Sequence, residues 1–169
     1  MMWVGVLLMG CADPKEDDLV PGMNVVSGES SSCAGNAPVI EELACENTGL
    51  DVYEQSQAYL PTFTVSAFVS DEDGDFTSYQ MLIKFDSELD GELADDAVEL
   101  GTISGSLNDE LCETTTADVG TKIYIQGGAP DLETTYEWHV SVFDSAGMRS
   151  DTEFIECTTP NAEGEGDPY

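Results

Sequence analysis

Asp71, Asp73 and Asp75 stand at alternate positions in Asp71-Glu72-Asp73-Gly74-Asp75 and offer three carboxylates within five residues. Carboxylate oxygens at that density suit a hard cation. Ca2+ takes roughly six to eight oxygen ligands, so groups from elsewhere, Asp144 among the candidates, would have to complete the shell. The spacing is not that of an EF-hand, whose glycine follows the third acidic position; here Gly74 precedes it. The competing expectation is a solvated hairpin turn rich in Asp and Gly, the commoner outcome for such a stretch.

A second acidic group, Asp86, Glu88, Asp90, Glu92, Asp95 and Asp96, reads as a solvated loop. Paired carboxylates can hydrolyse glycosides, but that chemistry needs a cleft with aromatic walls. Trp138 belongs to an apolar face instead. His139 is the sole histidine. Strand parity sets it on a polar face with Glu137 and Ser141, and the expectation is a surface histidine. The chain has no Gly-x-Ser-x-Gly elbow, no Gly-x-Gly-x-x-Gly turn and no Walker loop. No residue is therefore assigned a catalytic role and no organic cofactor is expected; Ca2+ is the one candidate ligand.

These groups need elements to hold them, and the clearest is the stretch from Leu132 to Gly147. Tyr136, Trp138, Val140 and Val142 alternate with Glu137, His139, Ser141 and Phe143, a period of two that marks a strand with a buried face. Pro38 to Cys45 reads as a first, edge strand and 46–60 as a loop. Thr62 to Ser70 points Phe63, Val65, Ala67 and Val69 inward. Ser78 to Asp86 points Tyr79, Met81, Ile83 and Phe85 inward. Val98 to Ile103 is a short strand, 104–119 is irregular, and Thr121 to Gln126 points Ile123 and Ile125 inward. A last strand runs from about Arg149 to Thr158; the adjacency of Phe154 and Ile155 leaves its inward face open. Glu92 to Leu100 is the one helical candidate, too short and acidic to stand alone. Seven short strands separated by turn signals point to an all-β fold, a seven-stranded antiparallel two-sheet sandwich. Phe68, Leu82, Tyr124 and Phe143 are apolar at outward positions; gathered on one sheet they would form a partner patch.

The chain of 169 residues suits one domain with short appendages. It carries 35 Asp and Glu against 4 Lys and Arg, a formal net charge of −31. That charge repels nucleic acids and anionic headgroups, so no nucleic-acid partner is expected. It also predicts self-repulsion that salt screens.

The first residues are apolar up to Cys11, then charged and loop-like. A run of about ten apolar residues is too short to span a membrane, which takes about 20. Leu8-Met9-Gly10-Cys11 resembles the lipobox of bacterial lipoproteins. The resemblance implies a signal peptide over 1–10, acylation of Cys11 and anchoring to the cell envelope. Ala12 after the cysteine implies the outer membrane in that family. Residues 11–37 then read as the lipidated cysteine and a flexible linker. With Cys11 set aside, Cys33, Cys45, Cys112 and Cys157 form an even set of four with three possible pairings. Export permits disulfides. Cys-x-x-Cys spacing is absent, which argues against zinc at these cysteines.

Leu132, Thr135-Tyr136-x-Trp138-x-Val140-x-Val142 and Asp144-Ser145-Ala146-Gly147 resemble the penultimate strand of fibronectin type III and related bacterial immunoglobulin-like domains. Val69 to Asp75 resembles the acidic turn of the same group and of cadherin-like repeats. The resemblance covers roughly 38–160 and leaves 161–169 as an acidic tail. It implies that Tyr136 makes the corner between strands five and six. It also implies that the first and last strands run side by side in parallel, which favours Cys45 with Cys157 and leaves Cys33 with Cys112. Cys33 with Cys45 and Cys112 with Cys157 stays open as the alternative. The expected function is a cell-envelope lipoprotein with a non-catalytic immunoglobulin-like domain for protein or glycan binding or envelope architecture. The rivals are a β-sandwich enzyme acting on glycans and a carbohydrate-binding module.

Overall fold

The computed structural model describes residues 35–107, 112–113 and 115–166. Cys11, Cys33, the lipobox and most of the linker lie outside the described residues. Seven strands follow in order: β1 Val39–Tyr53, β2 Ala58–Ser70, β3 Ser78–Asp86, β4 Val98–Ser106, β5 Thr116–Tyr124, β6 Thr135–Phe143 and β7 Glu153–Thr158. They form two antiparallel sheets, one ordered β1-β2-β5 and the other β4-β3-β6-β7. The chain is thus all-β, and no helix forms among the described residues; of the helical candidate Glu92 to Leu100, residues 92–97 are loop and 98–100 open β4. The order is that of an immunoglobulin-like sandwich in which the fourth strand pairs with the third instead of joining the first sheet.

Alternation dictates what meets between the sheets. Phe63, Val65, Ala67, Val69, Val119 and Ile123 come from the first sheet, and Met81, Ile83, Phe85, Tyr136, Trp138, Val140 and Val142 from the second. All are buried. Trp138 is the hub. Its ring lies 4.8 Å from Phe63 edge-on, 4.9 Å from Phe85 stacked and 6.1 Å from Tyr136 edge-on. Offset and edge-on aromatic pairs of this kind add roughly 0.5–1.5 kcal/mol each beyond area burial.

Several elements depart from the sequence-based expectation. β1 runs through to Tyr53, into the segment expected as a loop. Register shifts between Ile40 and Glu42 and between Asn47 and Gly49 break its alternation, so its period of two is invisible in sequence. A tight turn then returns the chain, with the Tyr53 carbonyl accepting from Ser56 and Gln57 N–H. β5 begins at Thr116, inside the stretch expected to be irregular. β6 is buried on both faces, where one polar face was expected. In β7, Ile155 and Cys157 point inward and Phe154 outward.

Cys45 and Cys157 are bonded, with Cα atoms 6.4 Å apart and a sequence separation of 112. The bond joins the sheets across the core; β1 and β7 are not hydrogen-bonded neighbours but sit in opposite sheets. Cys112 is a disulfide cysteine as well. The Tyr136 hydroxyl accepts the N–H of Asp131 at 3.1 Å, the corner contact implied by the resemblance. Residues 161–166 of the expected acidic tail fold back on β1. Asn47 Nδ2 donates to the Gly166 carbonyl at 2.8 Å, and Gly164 packs so closely on Gly49 that a Cβ would sit 2.4 Å from its carbonyl carbon.

Candidate functional site

Two carboxylate clusters stand out, one at a sandwich end and one on the outer face of the second sheet. The first grows from the end of β2. Val69 is the last inward residue, and the chain then turns through Asp71 to Thr77. Phe76 anchors the turn, fully buried and stacked on Tyr79 at 5.8 Å. Asp71 N–H donates to the Thr115 carbonyl at 2.8 Å, tying the turn to the entry of β5. Gly74 has φ +74°, and a Cβ there would lie 2.8 Å from the carbonyl carbon of Cys112. Only glycine meets both demands.

This local structure drives the side chains together. Asp71, Asp73 and Asp75 each bring a carboxylate oxygen within 4.8 Å of the others. Asp71 and Asp75 are each 2% exposed, and Asp144, from the end of β6, is 5% exposed. Ser145 Oγ donates to the Asp75 carbonyl, which fixes the β6–β7 loop against the turn. Asp73 Oδ2 accepts the N–H of Asn36 at 2.8 Å. Asp144 Oδ1 accepts from Met148 N–H at 2.8 Å.

Asp71 Oδ1 and Oδ2, Asp73 Oδ1, Asp75 Oδ1 and Asp144 Oδ2 are all buried without a hydrogen bond. Among the described residues the basic side chains are engaged elsewhere: Lys84 with Glu99, Lys122 with Asp51, and Arg149 with Ser141 and Thr152. Burial, then Asp73 and Asp75, push the Asp71 carboxyl up to about 8. Burial raises Asp144 too, with the Asp75 charge adding to it. Asp73 is lowered, chiefly by the Asn36 N–H. A buried uncompensated carboxylate costs several kcal/mol, so a proton or a cation must sit among these oxygens. The spacing of the Asp71, Asp73 and Asp75 oxygens suits a cation; Asp144 stands near enough to feel the Asp75 charge but is not one of that close set. Ca2+–oxygen bonds are about 2.3–2.6 Å, so ligand atoms on one Ca2+ lie no more than about 5 Å apart.

The second cluster corrects the expectation for His139. The residue is 4% exposed, with Glu137 at 0% and Asp86 at 7%. Parity gave its face correctly, but the 87–97 loop covers that face. Gly91 N–H donates to Glu137 Oε1 at 2.8 Å, and Ala94 and Glu88 N–H donate to the two oxygens of Asp86 at 3.1 Å. The Phe154 ring lies 5.8 Å from the imidazole. Of the acidic loop, Glu88, Asp90, Glu92, Asp95 and Asp96 are exposed, as expected; Asp86 is not. The signal for this cluster lay in strand register, which pairs Asp86 with Glu137 and Lys84 with His139. Register is not readable from one strand at a time.

The four outward apolar residues do not gather. Phe68 and Tyr124 belong to the first sheet, Leu82 and Phe143 to the second. Tyr124 instead pairs with Tyr53, ring centroids 5.2 Å apart, over a shallow groove of about 650 Å³ lined by Asp51 to Gln55, Gln57 and Tyr124. Comparison of the chain with protein-family models, curated proteins and solved structures finds no match in any of the three.

Proposed function

We propose that the chain is an exported, lipid-anchored module whose immunoglobulin-like domain works without catalysis, as a binding or architectural unit of the cell envelope. In this reading Ca2+ bound by Asp71, Asp73, Asp75 and Asp144 sets the loops at one end of the sandwich. The observation that carries it is the group of buried, unpartnered oxygens on those four residues. All the donors are oxygen, which favours Ca2+ over softer metals. The Cys45–Cys157 bond is compatible with an oxidising compartment. Acylation of Cys11 would place the module at a membrane surface.

Calorimetric titration with Ca2+ at physiological salt tests the cation. One equivalent should bind with Kd on the order of 0.1–1 mM or tighter, the range of extracellular modules. Asp75→Asn should weaken it by about tenfold or more. No heat, together with no shift in melting temperature, would refute this part. Mass spectrometry of the native protein tests the anchor; an unmodified Cys11 in a chain that retains residues 1–10 would refute it.

A second reading, glycan binding, is favoured by the Tyr53–Tyr124 pair with Asp51 and Lys122 beside it, joined at 2.7 Å. Aromatic rings flanked by polar groups suit a sugar face and its hydroxyls. Loss of binding to envelope glycans on Tyr124→Ala would support it.

A further inference from the structure

The cluster on the outer face of the second sheet shares no residue with the proposed calcium site. We propose that Asp86, Glu137 and His139 form a second metal site, for a zinc-type transition dication, which fastens the 87–97 loop to β6. Ligand chemistry separates it from the first site, because an imidazole with two carboxylates suits zinc and its neighbours, whereas Ca2+ prefers oxygen alone.

Distances carry the argument. His139 Nε2 lies 3.3 Å from Glu137 Oε2 and 3.5 Å from Asp86 Oδ2. A charge-assisted N–H···O bond would be about 2.7–2.9 Å. Zinc bonds are about 2.0–2.1 Å to nitrogen and about 2.0–2.2 Å to carboxylate oxygen, so the edge of a tetrahedral site is about 3.4 Å. The observed separations match that edge. Glu137 Oε2 and His139 Nε2 make no hydrogen bond although both are buried. The three ligand atoms lie within 4.8 Å of one another.

Charge and support agree with this assignment. Two carboxylates, a neutral imidazole and a dication sum to zero, which suits a buried site. The backbone N–H groups of Glu88 and Gly91 hold the far oxygens, Asp86 Oδ1 and Glu137 Oε1, as outer partners of metal ligands do, and Ala94 N–H donates to Asp86 Oδ2 itself. Phe154 caps the imidazole and also crowds Gly91, where a Cβ would meet the ring at 3.0 Å. The loop is thereby closed over the cluster.

The test uses the untagged full chain, because a tag would add histidines to a protein that has one. Zn2+ is titrated with Ca2+ present in excess to occupy the first cluster. The single imidazole gives one set of ¹⁵N signals, read by NMR. The expected result is one equivalent of Zn2+ bound, with the Nε2 resonance moving to the position of a metal-bound nitrogen. His139→Gln should weaken binding by about tenfold or more, and Asp71→Asn should leave it unchanged. The proposal is overturned if excess Zn2+ leaves the imidazole signals in place, as a metal-free imidazolium clasp would, or if His139→Gln binds Zn2+ like the parent chain. Should that variant fail to fold, the NMR titration of the parent chain decides alone.

Discussion

Replacing Asp71 by Asn tests the sandwich-end cluster by sign as well as size. Burial and two neighbouring carboxylates push the Asp71 carboxyl up to about 8 from 3.8. A carboxyl whose folded pKa is raised binds more protons in the folded chain than in the unfolded one. Stability of the metal-free protein therefore falls as pH rises from about 4 to about 8 and is level outside that window. At pH 7 the difference between an unfolded value of 3.8 and ambient pH corresponds to at most about 4 kcal/mol. Asparagine has nearly the shape of the protonated acid and carries no such penalty. In EDTA at pH 7, Asp71→Asn should be more stable than the parent chain by up to about 4 kcal/mol, with a flatter pH profile. With Ca2+ present the order should narrow or reverse. At a hundredfold excess over Kd the parent gains about 2.7 kcal/mol, whereas a tenfold weaker site gains only about 1.4 kcal/mol. Urea denaturation at pH 5, 7 and 8, with EDTA or CaCl2, gives both numbers. A variant less stable than the parent in EDTA would refute the claim that these carboxylates oppose one another.

Removing the inter-sheet bond in a Cys45→Ser/Cys157→Ser double variant should cost about 5 kcal/mol by loop-closure entropy, read as a lower urea midpoint. Tyr136→Phe removes the acceptor for the Asp131 N–H and should cost about 1–2 kcal/mol in the same assay, with the core packing of the ring retained. With a net charge of −31, added NaCl should raise the melting temperature; a flat response from low to molar salt would mean that self-repulsion is not felt by the folded chain.

Much of the fold was legible because central strands keep strict alternation. Phe63 to Val69, Met81 to Phe85 and Tyr136 to Val142 all point inward as their parity demands. β1 was legible only at its start. Two register shifts interrupt its pattern, and of its 15 residues only Ile40 and Cys45 are buried. β5 begins with Thr116, Ala117 and Asp118, which carry no apolar period, so its pairing with β2 was hidden. The alternating carboxylates from Asp71 to Asp75 announced themselves by spacing, but their burial depends on Phe76, Thr115 and Cys112, remote or unremarkable in sequence. His139 shows the limit of parity. It tells which face a residue takes, not whether a loop will cover that face.

The bond from Asn36 N–H to Asp73 has a mechanical consequence. The described chain enters the domain at that point, a few residues ahead of β1. Asp73 thereby ties the segment that leads into β1 to the acidic turn, and a cation there would stiffen that joint. Within the sheet, a peel of β1 from β2 that starts at Val39 meets Cys45 after seven residues. There the sulfur bridge to β7 halts the peel, and everything downstream stays shielded from the force.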